Sequence, residues 1–152
     1  DVMQWALVQS DPLGWLEGTA LDSDWISECD SDFKHWLDRY KYAERYPEHT
    51  ADQYRNNAEV FIQKLEDRLS VSDWMGGEAA HAVDVALFPF IRQFAGVDPS
   101  WWQSAPYPSV RRWLENWLNS ALFSAIMAKY PRWESGRAGE RFPPDPDHDA
   151  LK

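Results

Sequence analysis

Residues 81–94 read "HAVDVALFPFIRQF", an apolar run with an acid near its head and a proline in its middle. A buried helix does not carry either residue without a reason. If the helix opens just after His81, Asp84 stands at its third position, where a carboxylate accepts from free backbone N–H groups and meets the positive end of the helix dipole. A buried helix end has no water to satisfy those donors, so the acid is structural, with a worth of roughly 0.5–2 kcal/mol by analogy with other caps. Pro89 cannot donate to the carbonyl of Val85, and the sequence predicts a bend there. Such a bend turns Phe90, Ile91 and Phe94 toward a different neighbour from the one Val85 meets. The run is apolar almost all round, which predicts a central helix sheathed by others.

The flanking segments supply the sheath. In "SDFKHWLDRYKYAERY" (31–46), Phe33, Trp36, Leu37 and Tyr40 fall at the spacing of one helical face, with Lys34, Asp38, Arg39 and Lys41 toward the other side. Pro47 is expected to stop that helix. In "EHTADQYRNNAEVFIQKLEDRLS" (48–70), Thr50 and Gln53 form a capping box, and Tyr54, Ala58, Phe61, Leu65 and Leu69 make a stripe ending near Ser70. The Gly76-Gly77 pair ends the connection that follows. "DPSWWQSAPYP" (98–108), broken by three prolines, reads as a loop or a short turn of helix. Beyond it, Val110, Trp113, Leu114, Trp117 and Leu118 share a face, and Ser120 can cap a short helix holding Phe123, Ile126 and Met127. Pro131 ends the pattern, and residues 134–152 are polar and proline-rich, a mobile tail in expectation. No strand alternation, repeat or heptad array emerges, so the fold class is all-α, a helical bundle around a kinked, buried central helix.

Composition agrees. The 152 residues suffice for one domain with a core, and ten tryptophans require large rings in its interior. Seven glycines leave few tight turns for a many-stranded fold. A formal charge of −10 argues against nucleic acid as a partner. No stretch approaches the ~20 apolar residues that span a bilayer. A single cysteine, Cys29, excludes an internal disulfide and makes a cytoplasmic setting the default. "DVMQWALVQS" has no signal-peptide pattern and reads as the end of a helix whose beginning is cut away, the expectation for a fragment or an excised domain.

These features, in this order, resemble the C-terminal helical domain of cytosolic glutathione transferases. In that family a capping box of Ser or Thr, two residues, then Asp opens the central buried helix, and Asp84 stands on the acidic position. His81 departs from the pattern, since the family usually has the hydroxyl there, and a weaker cap is expected from an imidazole. The resemblance runs to about Trp133. "DVMQWAL" (residues 1–8 as a domain remnant) resembles the end of the family's thioredoxin-like domain, and "DPLGWL" its linker (9–18). The helical domain then covers 19–133. "FKHWLDRYKYAERYPE" and "PYPSVRRWLENWLNSALFSAIMAKYPRW" are similar to a bacterial branch of these proteins.

The resemblance implies that glutathione is the co-substrate, bound and activated mainly by an N-terminal thioredoxin-like domain of which only the final residues remain here. That chemistry lowers a thiol's pKa so that the thiolate attacks an electrophilic carbon. This chain alone is expected to be nearly inactive, with no catalytic residue of its own. The helical domain's implied share is a pocket for a small apolar electrophile, plus contacts in a homodimer through the helices around residues 31–70. Phe33, Trp36, Leu37, Tyr40, Phe90 and Phe94 are the candidates for that pocket, and packing against the next helix is the competing reading of the first four. Arg92 is expected to reach the domain boundary, or else to make a surface ion pair. Lys34 and Lys41 either draw an anionic substrate or stay solvated. His81, Asp84 and Pro89 are structural.

Cys29 is expected to be a packing residue rather than a nucleophile. His35, His49, His81 and His148 match no zinc spacing, so no metal is expected. A different class of function stays open: helical domains similar to this one also serve as non-catalytic docking modules in translation-factor and synthetase assemblies. A third idea is a sensor whose aromatic cavity binds a small ligand.

Overall fold

A computed structural model of the chain describes residues 2–16, 23–127 and 129–139. Residues 17–18 of the expected linker, the first residues of the expected helical domain (19–22) and most of the expected tail, His148 included, lie outside the described residues. Among the described residues every regular element is helical, and the only bridge, between Trp74 and Gly77, belongs to a turn.

Two units are distinguished, residues 1–118 and 119–152. The first opens with α1 (Val2–Gln9), which buries none of its residues. Helix α2 (Ser23–Glu28) passes through a π-helical stretch, Cys29–Phe33, directly into α3 (Lys34–Lys41). Cys29 therefore lies within a continuous helical run that starts upstream of it. Phe33, Leu37 and Tyr40 are buried and Trp36 half-buried, so the predicted face is the inward one.

Helix α3 ends at Lys41, well before Pro47, because Tyr42 leaves helical geometry at φ −124, ψ 43. A short 3₁₀ turn, Ala43–Arg45, follows. The cause is tertiary: Tyr46 folds back so that its hydroxyl donates to Asp38 (2.7 Å) and its ring lies under Arg39, while the Tyr54 hydroxyl donates to the Tyr46 carbonyl.

Helix α4 (Ala51–Leu69) begins with the predicted box, in which Gln53 N–H donates to Thr50 Oγ1 and Thr50 N–H donates to Gln53 Oε1. Its predicted stripe is buried along its whole length. Helix α5 (Ala82–Val97) is the central rod, and it packs on α3 on one side and α7 on another. Ile91 and Phe94 are fully buried, and Pro89 lies inside the helix on its exposed side. Helix α6 (Pro99–Ser104) is one short helix rather than a loop, started by Asp98, whose carboxylate accepts from Trp101 N–H, and by Pro99 at its first position. Helix α7 (Pro108–Leu118) packs on α4 and α5 and buries Val110, Trp113, Leu114 and Trp117.

The core is aromatic. Phe33 stacks on Phe61 (4.9 Å between centroids) and meets Phe94 at 5.7 Å, and Phe94 also touches Tyr40, Trp101 and Trp102. Ring pairs of this kind add roughly 0.5–1.5 kcal/mol each beyond area burial. The segment "DPLGWL" is anchored as well. Asp11 accepts from the N–H groups of Trp15 and Leu16, the Trp15 carbonyl accepts from Ala82 N–H, and the Trp15 ring meets Trp117 edge-on.

In the second unit, Ser120 caps α8 (Ala121–Ile126) by accepting from Phe123 N–H, as its sequence predicts, and Met127 is the C-cap. Residues 129–139 are exposed.

Candidate functional site

The head of α5 holds a buried acid. Asp84 is fully buried and accepts from four N–H groups. Oδ1 takes Met75 N–H (2.8 Å) and the indole N–H of Trp113 (2.8 Å), and Oδ2 takes His81 N–H (3.0 Å) and Gly76 N–H (3.3 Å). A buried carboxylate with this many donors is compensated rather than poised for chemistry. Asp84 is therefore structural, and it ties together the 75–76 turn, the cap of α5 and the middle of α7.

His81 holds the N-cap position with extended backbone (φ −122, ψ 177). Hydrogen bonding at the box is made by the carboxylate: the buried Nδ1 of the imidazole has no hydrogen-bond partner among the described residues. The ring lies against Gly76, where an added Cβ would sit 2.4 Å from His81 Cγ. Glycine is required there by that close approach, whereas Gly77 beside it adopts φ 113.

Among the described residues, the six predicted for an apolar pocket are divided between two hollows and the core. Leu37 and Phe90 line an open hollow of about 270 Å³ between α3 and α5, together with Lys34, Lys41, Tyr42 and Gln93. Lys34 Nζ lies 4.1 Å over the Phe90 ring, and Lys41 Nζ donates to Gln93 Oε1 at 3.2 Å. Phe33 and Trp36 line a separate, smaller hollow of about 190 Å³ against α4. Tyr40 and Phe94 belong to the core. Arg92 stands on the exposed side of α5 and lines a third cavity, a groove of about 500 Å³ against α6 and α7.

Several polar groups escaped the sequence reading. Glu66 is buried on α4 and accepts from the N–H groups of Ser109 (2.9 and 3.1 Å) and Val110 (2.9 Å) at the start of α7. Arg55 donates to Asp52 and Glu59 and lies 4.5 Å from the Trp101 ring, and Glu59 accepts from the Tyr107 hydroxyl at 2.7 Å. Burial, reinforced by Glu59, pushes the Tyr107 phenol well above its ordinary range. Tyr40's hydroxyl is buried with Arg55 as its polar neighbour, outside hydrogen-bond geometry, and burial raises it too. The one available signal was an acid, Glu66, directly beside the apolar stripe of α4.

Cys29 is 1% exposed, and burial, with Asp30 adding to it, pushes its thiol up to about 12. A thiol that stays protonated and enclosed is a packing group, not a nucleophile. Among the described residues no group of three or more His, Cys, Asp or Glu side chains could hold a metal ion, and no helix is long and apolar enough to cross a membrane.

Comparison with curated proteins finds no match. Residues 48–116, spanning α4 through most of α7, match the family model described as glutathione S-transferase, C-terminal domain. An acid-capped central helix inside an all-helical bundle agrees with that match, and the chain therefore carries a glutathione S-transferase C-terminal-like helical domain.

Proposed function

We propose that this domain forms the second-substrate wall and a subunit contact of a glutathione transferase-like enzyme. A thioredoxin-like domain preceding Asp1 would bind glutathione and generate its thiolate. The thiolate attacks an electrophilic carbon, a thioether bond forms, the leaving group departs with the bonding electrons, and the thiol proton goes to solvent. The residues of this chain hold the electrophile. In this reading Leu37 and Phe90 form its apolar contact, and Lys34 above the Phe90 ring fixes that ring's position. Phe33, Trp36, Tyr40 and Phe94 support the wall from behind, and the helices within residues 31–70 meet a second copy. The proposed enzyme works in the cytoplasm without a metal.

The observation that carries this reading is the hollow between α3 and α5, where two of the predicted apolar residues meet in a domain of the transferase C-terminal kind. Thiol activation is assigned elsewhere because Cys29 is enclosed and protonated. The test begins with the codons upstream of Asp1, which should encode a thioredoxin-like segment with a Glu-Ser pair that binds glutathione. In the whole enzyme Phe90→Ala should raise KM for an aryl halide about tenfold and leave KM for glutathione unchanged, the loss expected for an apolar contact worth about 1.4 kcal/mol. An unrelated upstream domain would refute the reading in favour of a non-catalytic interaction module. Turnover of the aryl halide by this chain alone would refute it as well.

A further inference from the structure

We propose that the electrophile taken by the hollow between α3 and α5 carries a carboxylate, and that Lys41 selects it. The inference rests on the transferase reading of that hollow and adds the charge of the substrate. The hollow encloses about 270 Å³, below the roughly 300–1,000 Å³ of drug-sized pockets, so it suits a small, single-ring body. Leu37 and Phe90 meet that body, and Lys41, Tyr42 and Gln93 line the same space.

The two lysines of the hollow are not equivalent. Lys34 Nζ pairs with Asp30 Oδ1 at 2.9 Å and lies over the Phe90 ring, so its charge is already balanced. Lys41 Nζ donates to Gln93 Oε1 at 3.2 Å and stands 5.0 Å from the centroid of the Tyr42 ring, and both partners are neutral. Among the described residues Lys41 enters no ion pair, although the chain has 25 acids for its 15 Lys and Arg residues. A cation left beside an apolar hollow in so acidic a chain is a charge for a ligand to meet. Asp38, the acid that lines the hollow, is engaged elsewhere, since it accepts from the Tyr46 hydroxyl at 2.7 Å. Its charge offsets part of the pull of Lys41 and keeps the expected preference modest.

Gln93 completes the receptor. Its Oε1 takes the Lys41 ammonium, which orients the amide and leaves its NH₂ group as a donor beside that ammonium. An ammonium and an amide N–H held together match the two oxygens of a carboxylate.

The test compares 4-chloro-3-nitrobenzoate with its primary amide, 4-chloro-3-nitrobenzamide, the same aryl chloride with and without the charge. With either compound the glutathione thiolate forms the carbon–sulfur bond, chloride leaves with the bonding electrons, and the thiol proton goes to solvent. In the whole enzyme, Lys41→Gln should lower the ratio of kcat/KM for the acid over the amide about three- to fivefold, through KM, the size of an exposed ion pair. Lys41→Arg should restore the ratio, Lys34→Gln should leave it at the parental value, and added salt should lower it in the parent. A ratio that Lys41→Gln does not change, while both compounds turn over, overturns the inference and leaves the transferase reading standing. Turnover of neither compound refutes that reading instead. The carboxylate preference is then decided on this chain alone, titrated with both compounds while the side-chain amide resonance of Gln93 is followed. Tighter binding of the acid that is lost in Lys41→Gln upholds it, and equal affinities or no saturable shift overturn it.

Discussion

The heads of α5 and α7 are each tied down by a buried carboxylate, and the two acids are placed in different ways. Asp84 belongs to the helix it caps and lies three residues from His81, whose N–H it accepts. It then gathers donors from the preceding turn and from Trp113. Glu66 belongs to α4 and caps α7 across a separation of 43 residues. Both replace the water that a buried helix end lacks, since unpaired buried N–H groups are costly. A cap within three residues is written in the local sequence. A cap supplied by another helix exists only after the helices have packed.

This contrast can be broken by substitution, most severely at Asp84. Asp84→Ala strands donors on three chain segments and should cost about 3–5 kcal/mol, measured by denaturant unfolding. No chemical step should change with it. Glu66→Ala strands only the two amides of Ser109 and Val110, with an expected loss of about 2–3 kcal/mol. Glu66→Gln keeps one acceptor oxygen and should lose only about 1 kcal/mol. A Glu66→Ala loss as large as that of Asp84→Ala would erase the distinction between the local hub and the borrowed cap.

The turn beside Asp84 gives a sharper test. Gly76→Ala drives a methyl into the His81 ring and should destabilise by about 1–3 kcal/mol. His81→Ser removes that ring, so the double variant should recover most of the loss, which makes the two sites strongly non-additive. Alone, His81→Ser should stabilise by up to ~1 kcal/mol, because a hydroxyl caps α5 and a buried, unpaired ring nitrogen disappears. A lower thermal midpoint would mean that the imidazole's packing outweighs the cap.

The last effect is absent at neutral pH and appears only in alkaline solution. The unfolded chain releases the Cys29 proton near the ordinary 9.0, while the folded chain keeps it to about 12. The folded pKa is the higher one, so this stability is complete below about pH 9 and is lost as pH rises toward 12. The slope for one proton is about 1.4 kcal/mol per pH unit. Cys29→Ala should flatten that limb, and an unchanged alkaline limb would show that the thiol is not enclosed.

Much of the fold was legible because it is local. Thr50 with Gln53, Ser120, and Asp84 all cap within three residues, and the stripes of α4 and α7 follow from period alone. The end of α3 was not legible. Pro47 is the obvious breaker, but the contacts of Tyr46 with Asp38, Arg39 and Tyr54 decide the matter earlier. The extension of the same run back to Ser23 was also hidden, since its π-helical stretch shifts the register that a 3.6-residue period assumes. For the candidate site, period identified an inward face but could not say what each residue would meet. Phe94 therefore lies in the core, Trp36 faces α4, and only Leu37 and Phe90 share the hollow between α3 and α5.

Native-state hydrogen exchange at Met75 N–H and at the indole N–H of Trp113 probes the two donors that share Asp84 Oδ1. Both should exchange only through global unfolding, with equal protection that tracks the denaturant stability. Exchange of either one at the rate of a solvent-exposed group would contradict the claim that a single enclosed acid joins the turn, α5 and α7.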